Sequence, residues 1–263
     1  MTPPKVSVIT INYNMCNDLA RTVENVLGQT YSNLEYIVVD GNSTDGSVDV
    51  IRAHASRISY WVSERDHGRY DAMNKGVVAA TGEWVIFINA GDSFHDTNVV
   101  EDLFGANSHA DADLVYGGVR RRYSKEGVER VIPPQPLSAL PLRMPCSHQS
   151  LFARRKVLLE HPFSLELSIA ADHDFLLRAI FAGAKFHKVD RTISVFSTGG
   201  ISDRQRLEAL RQIRMVLRRL NILTPKLSIA HALMVVRALG GARLKRIFPG
   251  RLTNWILRNK NFD

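Results

Sequence analysis

Cysteine is nearly missing from this chain: Cys16 and Cys146 are the only two in 263 residues, and neither belongs to a C-x-x-C pair. That excludes a disulfide framework and a cysteine-based zinc site, and both read as ordinary buried thiols. No apolar run approaches the ~18 to 20 residues a membrane-spanning helix needs. The N-terminal M-T-P-P-K-V-S-V enters strand-like sequence without the basic and apolar regions of a secretory leader, so the expected location is the cytoplasm. No G-x-G-x-x-G follows the first apolar run and no G-x-x-x-x-G-K-[ST] occurs, which removes a Rossmann dinucleotide site and a P-loop. Internal repeats, low-complexity tracts and a recognised nucleic-acid-binding module are missing too, so nucleic acid is not an expected partner.

What is present is a core. With 45% hydrophobic and 23% charged residues the chain suits one sizeable globular domain with room for a tail. The formal net charge of +8 is concentrated: from Arg204 onward, 14 lysines and arginines face two acids, a local +12, while the preceding part carries −4. This divides the chain into a body, 1–203, and a basic region, 204–263. Interleaved with those charges are Leu207, Leu210, Ile213, Leu217 and Leu220 at helical spacing, then Leu233, Val236 and Leu239, then Leu244, Ile247, Phe248, Trp255 and Ile256. Two readings fit: a basic amphipathic surface that lies on an anionic membrane, and helices whose apolar faces pack on the body.

Along the body, apolar runs of strand type alternate with helical periodicity. The spacing predicts strands over 6–13, 34–39, 58–62 and 83–89, with helices over 17–27, 47–55 and 70–80 between them. A β-α-β-α-β-α-β order predicts a parallel sheet in a three-layer α/β arrangement. The chain then changes character: 114–123 and 128–132 suggest a hairpin, and P-P-Q-P and P-L-R-M-P mark a long loop. From Cys146 it resumes as strand and helix, with a helix across 171–182 and a strand near 185–195.

The run I-F-I-N-A-G-D, Ile86 to Asp92, is too apolar for a surface and ends abruptly in a small-residue turn that delivers one carboxylate. In open α/β sheets ligands sit at the carboxyl ends of strands, which makes Asp92 a candidate metal or phosphate-side ligand, against the alternative of a helix cap. Asp40 ends the second strand, and Asp71 and Lys75 sit on the helix before the fourth. Each has a local explanation as turn, cap or solvated charge. Their convergence on one sheet edge points to a shared crevice, because like-charged carboxylates repel unless a cation or hydrogen-bonding ligand lies between them.

V-S-V-I-T-I-N-Y-N, L-E-Y-I-V-V-D-G-N-S-T-D-G-S, H-G-R-Y-D-A-M-N-K-G-V-V-A-A-T-G-E-W and F-I-N-A-G-D, in that order, resemble family 2 glycosyltransferases of the GT-A fold over residues 5–200. Within that family the chain is similar to the bacterial branch that builds exopolysaccharide, colanic-acid-type or lipopolysaccharide units. The resemblance implies transfer of a sugar from a UDP- or GDP-linked donor, with inversion, to a saccharide or lipid-linked acceptor at the inner membrane surface. It implies that Thr10, Asn12 and Asn14 line the nucleotide pocket, that Asp40 accepts from the base or ribose, and that Arg69, Asp71 and Lys75 bound the nucleotide and diphosphate. The family's D-x-D signature is reduced here to Asn89, Gly91 and a single aspartate, so Asp92 is the one metal ligand expected for Mg²⁺ or Mn²⁺, and weaker metal binding follows. S-I-A-A-D-H-D-F-L-L-R matches the segment holding the family's catalytic base, which implies Asp172 as base and Asp174 as its supporting neighbour. His148 and Gln149, in C-S-H-Q-S-L-F, match an acceptor-side motif. Phe196 to Arg204, with paired glycines, suggests a loop that closes over the donor and brings Arg204 or Arg206 to the diphosphate. No Q-x-x-R-W signature of processive synthases is present, so one sugar per encounter is expected. Two other readings stay open: a catalytically weakened nucleotide-sugar-binding or scaffold subunit, and a nucleotidyltransferase.

Overall fold

The structure is a computed structural model that describes residues 2–106, 109–123, 128–197 and 205–247, with side chains as far as 240. Strand β1 (Val6–Asn12) pairs in parallel with β2 (Leu34–Asp40) on one side and with β4 (Trp84–Phe87) on the other, and β2 pairs in parallel with β3 (Tyr60–Ser63). The right-handed crossovers expected of such units are helices α1 (Cys16–Leu27), α2 (Ser47–Ala53) and α3 (Arg69–Ala79).

Beyond β4 the sheet becomes mixed. β4 meets β8 (Leu151–Arg154) antiparallel, β8 meets β6 (Leu114–Tyr123) antiparallel, and β6 runs parallel to β9 (Phe186–Ser197). β9 pairs with the two-residue β5 (Ser93–Phe94), while β7 (Val128–Ile132) forms the expected hairpin with β6. The strand ending in the I-F-I-N-A-G-D turn is therefore central, but parallel on one side only. Four further helices complete the body: α4 (Val99–Phe104), α5 (Arg155–Glu160), α6 (Ala171–Phe181) and α7 (Arg206–Arg219), with α8 (Pro225–Ile247) packed on α7. Neither β5 nor α4 follows from the sequence pattern.

Strand alternation sorts the core into two layers. Ile9, Ile37, Val39, Val85 and Phe87 face one side, against Tyr70 and Met73 of α3, Phe175 of α6 and Val216 and Leu217 of α7. Val8, Tyr36, Val38, Trp84 and Ile86 face the other, against Leu19 and Val23 of α1, Ile51 of α2 and Phe104 of α4. Gly76 lets α3 lie close on β1, since a Cβ there would come 2.5 Å from Ile9 Cγ2.

The basic region does not begin a separate body. Val216 and Leu217 of α7 are buried in the main core, with Ile213 and Leu220 against it, and Leu210 is buried as well. Those apolar positions of α7 pack on the body. Helix α8 is different: Ile229, Leu233, Val236 and Leu239 are exposed. Among the described residues no helix is long and apolar enough to cross a membrane. Arg204 and the rest of the 198–204 segment, Phe248, Trp255 and Ile256 lie outside the described residues, and so do the side chains of Leu244 and Ile247.

Candidate active site

The cleft opens where β1 and β4 end and is about 740 Å³ in volume. One wall is the turn after β4. Asp92 N–H donates to Asn89 C=O at 2.8 Å, closing a turn whose third residue, Gly91, has φ +93°, a conformation glycine adopts without strain. Helix α1 grips this turn: Thr22 Oγ1 donates to Asp92 C=O at 2.8 Å and accepts from Gly91 N–H at 3.0 Å, while Asn25 Oδ1 accepts from Phe94 N–H at 2.7 Å. The turn is thereby fixed to a rigid element, and Asp92 projects into the cleft.

The Asp92 carboxylate accepts from Gln149 Nε2 at 2.9 Å. Burial pushes its carboxyl up to about 7, and the nearby Asp18 adds to the effect, while the Gln149 and Asn89 contacts oppose it. Among the described residues no group of three or more His, Cys, Asp or Glu side chains could hold a metal ion. The turn offers less: one carboxylate, and the Asn89 Oδ1, a buried oxygen without a hydrogen-bond partner. Two hard oxygens suit Mg²⁺ or Mn²⁺ when a ligand's phosphate oxygens complete the shell.

The opposite wall is the N-terminus of α6, where Asp172 stands at the second helical position. Its Oδ1 accepts from the His173 N–H at 2.9 Å. Burial raises its carboxyl to about 6, although that amide and the Arg69 charge favour the anion. The loop entering α6 is clamped from two sides. Tyr70 OH donates to Ile169 C=O at 2.5 Å, and Gln212 Oε1 of α7 accepts from Ile169 N–H at 3.0 Å and Ala170 N–H at 3.2 Å. Gln212 Nε2 is in turn held by Ser168 and Glu208.

His148 bridges the two walls. Asn89 Nδ2 donates to His148 Nε2 at 3.0 Å, which leaves the ring proton on Nδ1, 3.9 Å from Asp172 Oδ2. Burial, helped by the Arg69 charge, pulls the imidazole down to about 4, so it is neutral at physiological pH. Of the residues singled out in the sequence, Arg69, Asn89, Asp92, His148, Gln149 and Asp172 therefore share one cleft. Gln149 acts there as support for Asp92.

The others lie elsewhere. Asp174 is buried on another face of α6, paired with Arg178 at 2.8 Å, and is no neighbour of Asp172 in the cleft: two helical residues apart, the side chains diverge. Thr10 is buried, donating to Ile88 C=O at 2.7 Å and accepting from Tyr36 OH at 3.0 Å. Asp40 is fully buried and accepts from Asn12 Nδ2, Ser43 N–H, Ser43 Oγ and Ser63 Oγ at 2.5–2.9 Å. These bonds outweigh burial and hold its carboxyl below the ordinary value. Asn14, at φ 51°, accepts from Thr44 N–H. Asp71 accepts from His67 N–H at 2.9 Å and lies 3.6 Å from Lys75, which pairs with Glu64 at 2.7 Å. Thr10, Asn12, Asn14, Asp40, Asp71 and Lys75 do not line the cleft: the strand-end set is held by its own loops, with Asn12 Oδ1 left unpartnered, and the pair on α3 by neighbouring charges. Next to them Gly41 sits between the exposed Tyr13 ring and Asp66.

Sequence reasoning missed Asp18, Gln212 and Arg121. Asp18 lines the cleft beside Arg21, its ion-pair partner, but resembles a helix-start acid. Gln212 is a single amide inside a basic helix and carries no pattern. Arg206, offered as a diphosphate ligand, begins α7 on its exposed side, while Phe196 does line the cleft. Cys146 is half-buried at the cleft, where burial pushes its thiol up.

Residues 7–161 match the family model for glycosyl transferase family 2. An uncharacterized glycosyltransferase of Mycobacterium tuberculosis is 38% identical over 183 residues, covering 67% of this chain and 69% of that protein. A PGL/p-HBAD biosynthesis glycosyltransferase of Mycobacterium bovis is 31% identical over 183 residues, covering 68% and 70%. Among solved structures, the mannosyltransferase PcManGT from Pyrobaculum calidifontis, in complex with GDP-Man and Mn²⁺, superposes with a TM-score of 0.66 at 18% identity, over 98% of this chain and 79% of that one. A structure of S. aureus TarS with UDP-GlcNAc gives a TM-score of 0.61 at 19% identity, over 98% and 76%, while this chain spans 39% of a longer TarS chain. The domain match covers β1 through α5, the part that carries the Asn89–Asp92 turn and His148, and the fold likeness to these neighbours extends over α6. The chain belongs to glycosyl transferase family 2 and is a glycosyltransferase of the GT-A fold.

Proposed function

We propose that the protein transfers a sugar from a nucleoside-diphosphate donor to an acceptor hydroxyl with inversion, and that Asp172 is the base. One observation carries this reading: Asp172 faces Asp92 across a single cleft, with its carboxyl held at about 6. An in-line displacement needs the acceptor's proton removed on the side opposite the departing diphosphate, and a base that titrates near the working pH does this best. On the turn side, Asp92 and Asn89 Oδ1 would hold a divalent cation together with the donor diphosphate, and Arg69, whose charge acts on Asp172 and His148, adds a fixed positive charge to the cleft. When bound, the cation neutralises charge that develops on the leaving group. The neutral His148, with Nδ1–H toward Asp172, orients the carboxylate.

The nucleotide lies toward the ends of β1 and β2. The buried Asn12 Oδ1 has no partner there, and the exposed Tyr13 ring offers a stacking face. Asp40 shapes this pocket through Asn12 and Ser43, with Asp71 and Lys75 bordering it. The acceptor is a saccharide or lipid-linked saccharide of a bacterial surface glycan. The exposed apolar stripe of α8, within a region of net +12, rests on an anionic membrane surface and keeps the enzyme near it. Full-length protein should then bind anionic liposomes and a chain ending at Ile222 should not.

Hydrolysis of UDP- and GDP-sugars, with and without Mn²⁺, in the wild type and in Asp172→Asn tests the chemistry. NMR of the product's anomeric configuration tests inversion. Equal slow hydrolysis in both proteins favours the second reading, a nucleotide-sugar-binding subunit, which the single carboxylate at the turn supports. Release of pyrophosphate instead would indicate a nucleotidyltransferase.

A further inference from the structure

The wall built from β6, β7 and the chain that follows carries a cation that the proposed donor chemistry leaves unused. Arg121 lines the cleft, and its Nε is buried without a hydrogen-bond partner. Its guanidinium lies over the Phe196 ring at 4.9 Å from the centroid, and the two are register partners across the parallel β6–β9 pair. The stack fixes the plane of the fork and leaves its edge available. Neighbouring arginines are employed differently. Arg120 and Arg122 both pair with Glu129, at 3.5 Å and 2.7 Å, and Arg21 pairs with Asp18, but among the described residues no carboxylate pairs with Arg121.

Arg121 stands directly opposite Arg130 in the antiparallel β6–β7 pair. Beside it the wall turns apolar, with Val119, Ile132, Pro133 and Met144 lining the same cleft. A bare anion has no use for that surface, and a plain sugar has little use for either feature.

We propose that Arg121, oriented by Phe196, binds an oxyanion on the acceptor, a phosphate or a carboxylate attached to an apolar body that lies along Val119, Ile132 and Pro133. This rests on the reading above, in which the donor diphosphate belongs to the Asp92 turn. The assignment makes the enzyme selective for amphiphilic anionic acceptors over free saccharides.

The test is calorimetric titration of the full chain with geranyl phosphate, geranate, geraniol and inorganic phosphate, with and without saturating UDP or GDP and Mn²⁺. Geranyl phosphate or geranate should bind at least about tenfold more tightly than geraniol or inorganic phosphate. Arg121→Gln should weaken that binding by about tenfold to a hundredfold, the effect of losing a charge-assisted fork. Arg121→Lys should recover part of it, because the charge returns without the planar geometry. Both variants should keep the wild-type Tm and nucleotide affinity. The proposal is overturned if Arg121→Gln binds the amphiphile as the wild type does, or if inorganic phosphate binds as tightly as geranyl phosphate. An equal loss of nucleotide affinity in Arg121→Gln also overturns it, since Arg121 would then serve the donor. Failure of wild-type protein to bind any nucleotide condemns the donor reading alone, and the amphiphile titration without nucleotide still decides this one.

Discussion

Replacing Asp172 by Asn removes a charge and little volume, so its consequences separate chemistry from folding. In the active enzyme the carboxylate must be ionised to accept a proton. With its carboxyl held at about 6, the ionised fraction falls about tenfold between about pH 7 and about pH 5. An ordinary aspartate near 3.8 would stay ionised across that interval. The acid limb of kcat/KM should therefore bend near pH 6 and drop tenfold per pH unit below it. At saturating Mn²⁺ the Asp92 titration is suppressed, because a bound cation favours its anion, and the limb belongs to Asp172. Asp172→Asn should lower kcat by about 10²- to 10⁴-fold, the usual contribution of a general base, and abolish the limb.

The same numbers predict a gain in stability. A carboxyl at about 6 rather than 3.8 places about 3 kcal/mol against the charged form in the folded state. Since the folded value is raised, the protonated group favours folding, and that advantage is complete below about pH 4 and lost as pH rises through about 6. Asp172→Asn should thus raise Tm at about pH 7.5 and leave it unchanged at about pH 4, where the wild type is already neutral. Nucleoside diphosphate release, from whichever UDP- or GDP-sugar raises the Tm, is the kinetic assay, and thermal unfolding at the two pH values is the stability assay. Activity within threefold of wild type, or an unchanged limb in the variant, would refute the assignment.

Four further outcomes follow from the packing. Gln212→Ala strips two buried N–H groups at Ile169 and Ala170 of their acceptor and should cost about 1 to 3 kcal/mol in urea unfolding while lowering kcat more than it raises donor KM. Gly76→Ala puts a methyl 2.5 Å from Ile9 Cγ2 and should destabilise by about 1 to 3 kcal/mol through overpacking, read as a lower urea midpoint. Asp92→Asn should raise the Mn²⁺ concentration needed for half-maximal donor hydrolysis by at least about tenfold, with no change in Tm greater than a few degrees. Glu35 is pulled down to about 2, against the effect of burial, by hydrogen bonds from Ser7, Thr81 and Lys5. Its stabilisation is present above about pH 4.5 and lost as pH falls toward 2, so Glu35→Gln should flatten the acid side of the Tm profile.

The alternation of residues such as Val8 with Ile9 and Val38 with Val39 made the three layers and the order of β1 to β4 legible, because burial on both faces requires continuous apolar runs. The antiparallel entry of β8 beside β4 left no such mark, since a buried strand reads the same in either direction. Within the site, Asp92 was legible as a candidate from the small-residue turn, whereas Asp172 came only from the resemblance of its segment to the family's, since a helix-start acid by itself also reads as a cap. The Asn12–Asp40 network was not, since it depends on how Ser43 and Ser63 return to a strand end. Asp174 lay within reach of sequence reasoning: Arg178 follows it at i+4, the spacing of a helical ion pair, and that competing explanation is the one the fold uses. The apolar positions of 206–220 fitted a membrane and a protein core equally well, since periodicity reports that a face is apolar and not what covers it. Gln212 decided between them. A buried amide bridging α7 to the loop before Asp172 ties α7 into the body. In α8, where Ile229, Leu233 and Val236 face outward, the membrane reading retains its physical basis.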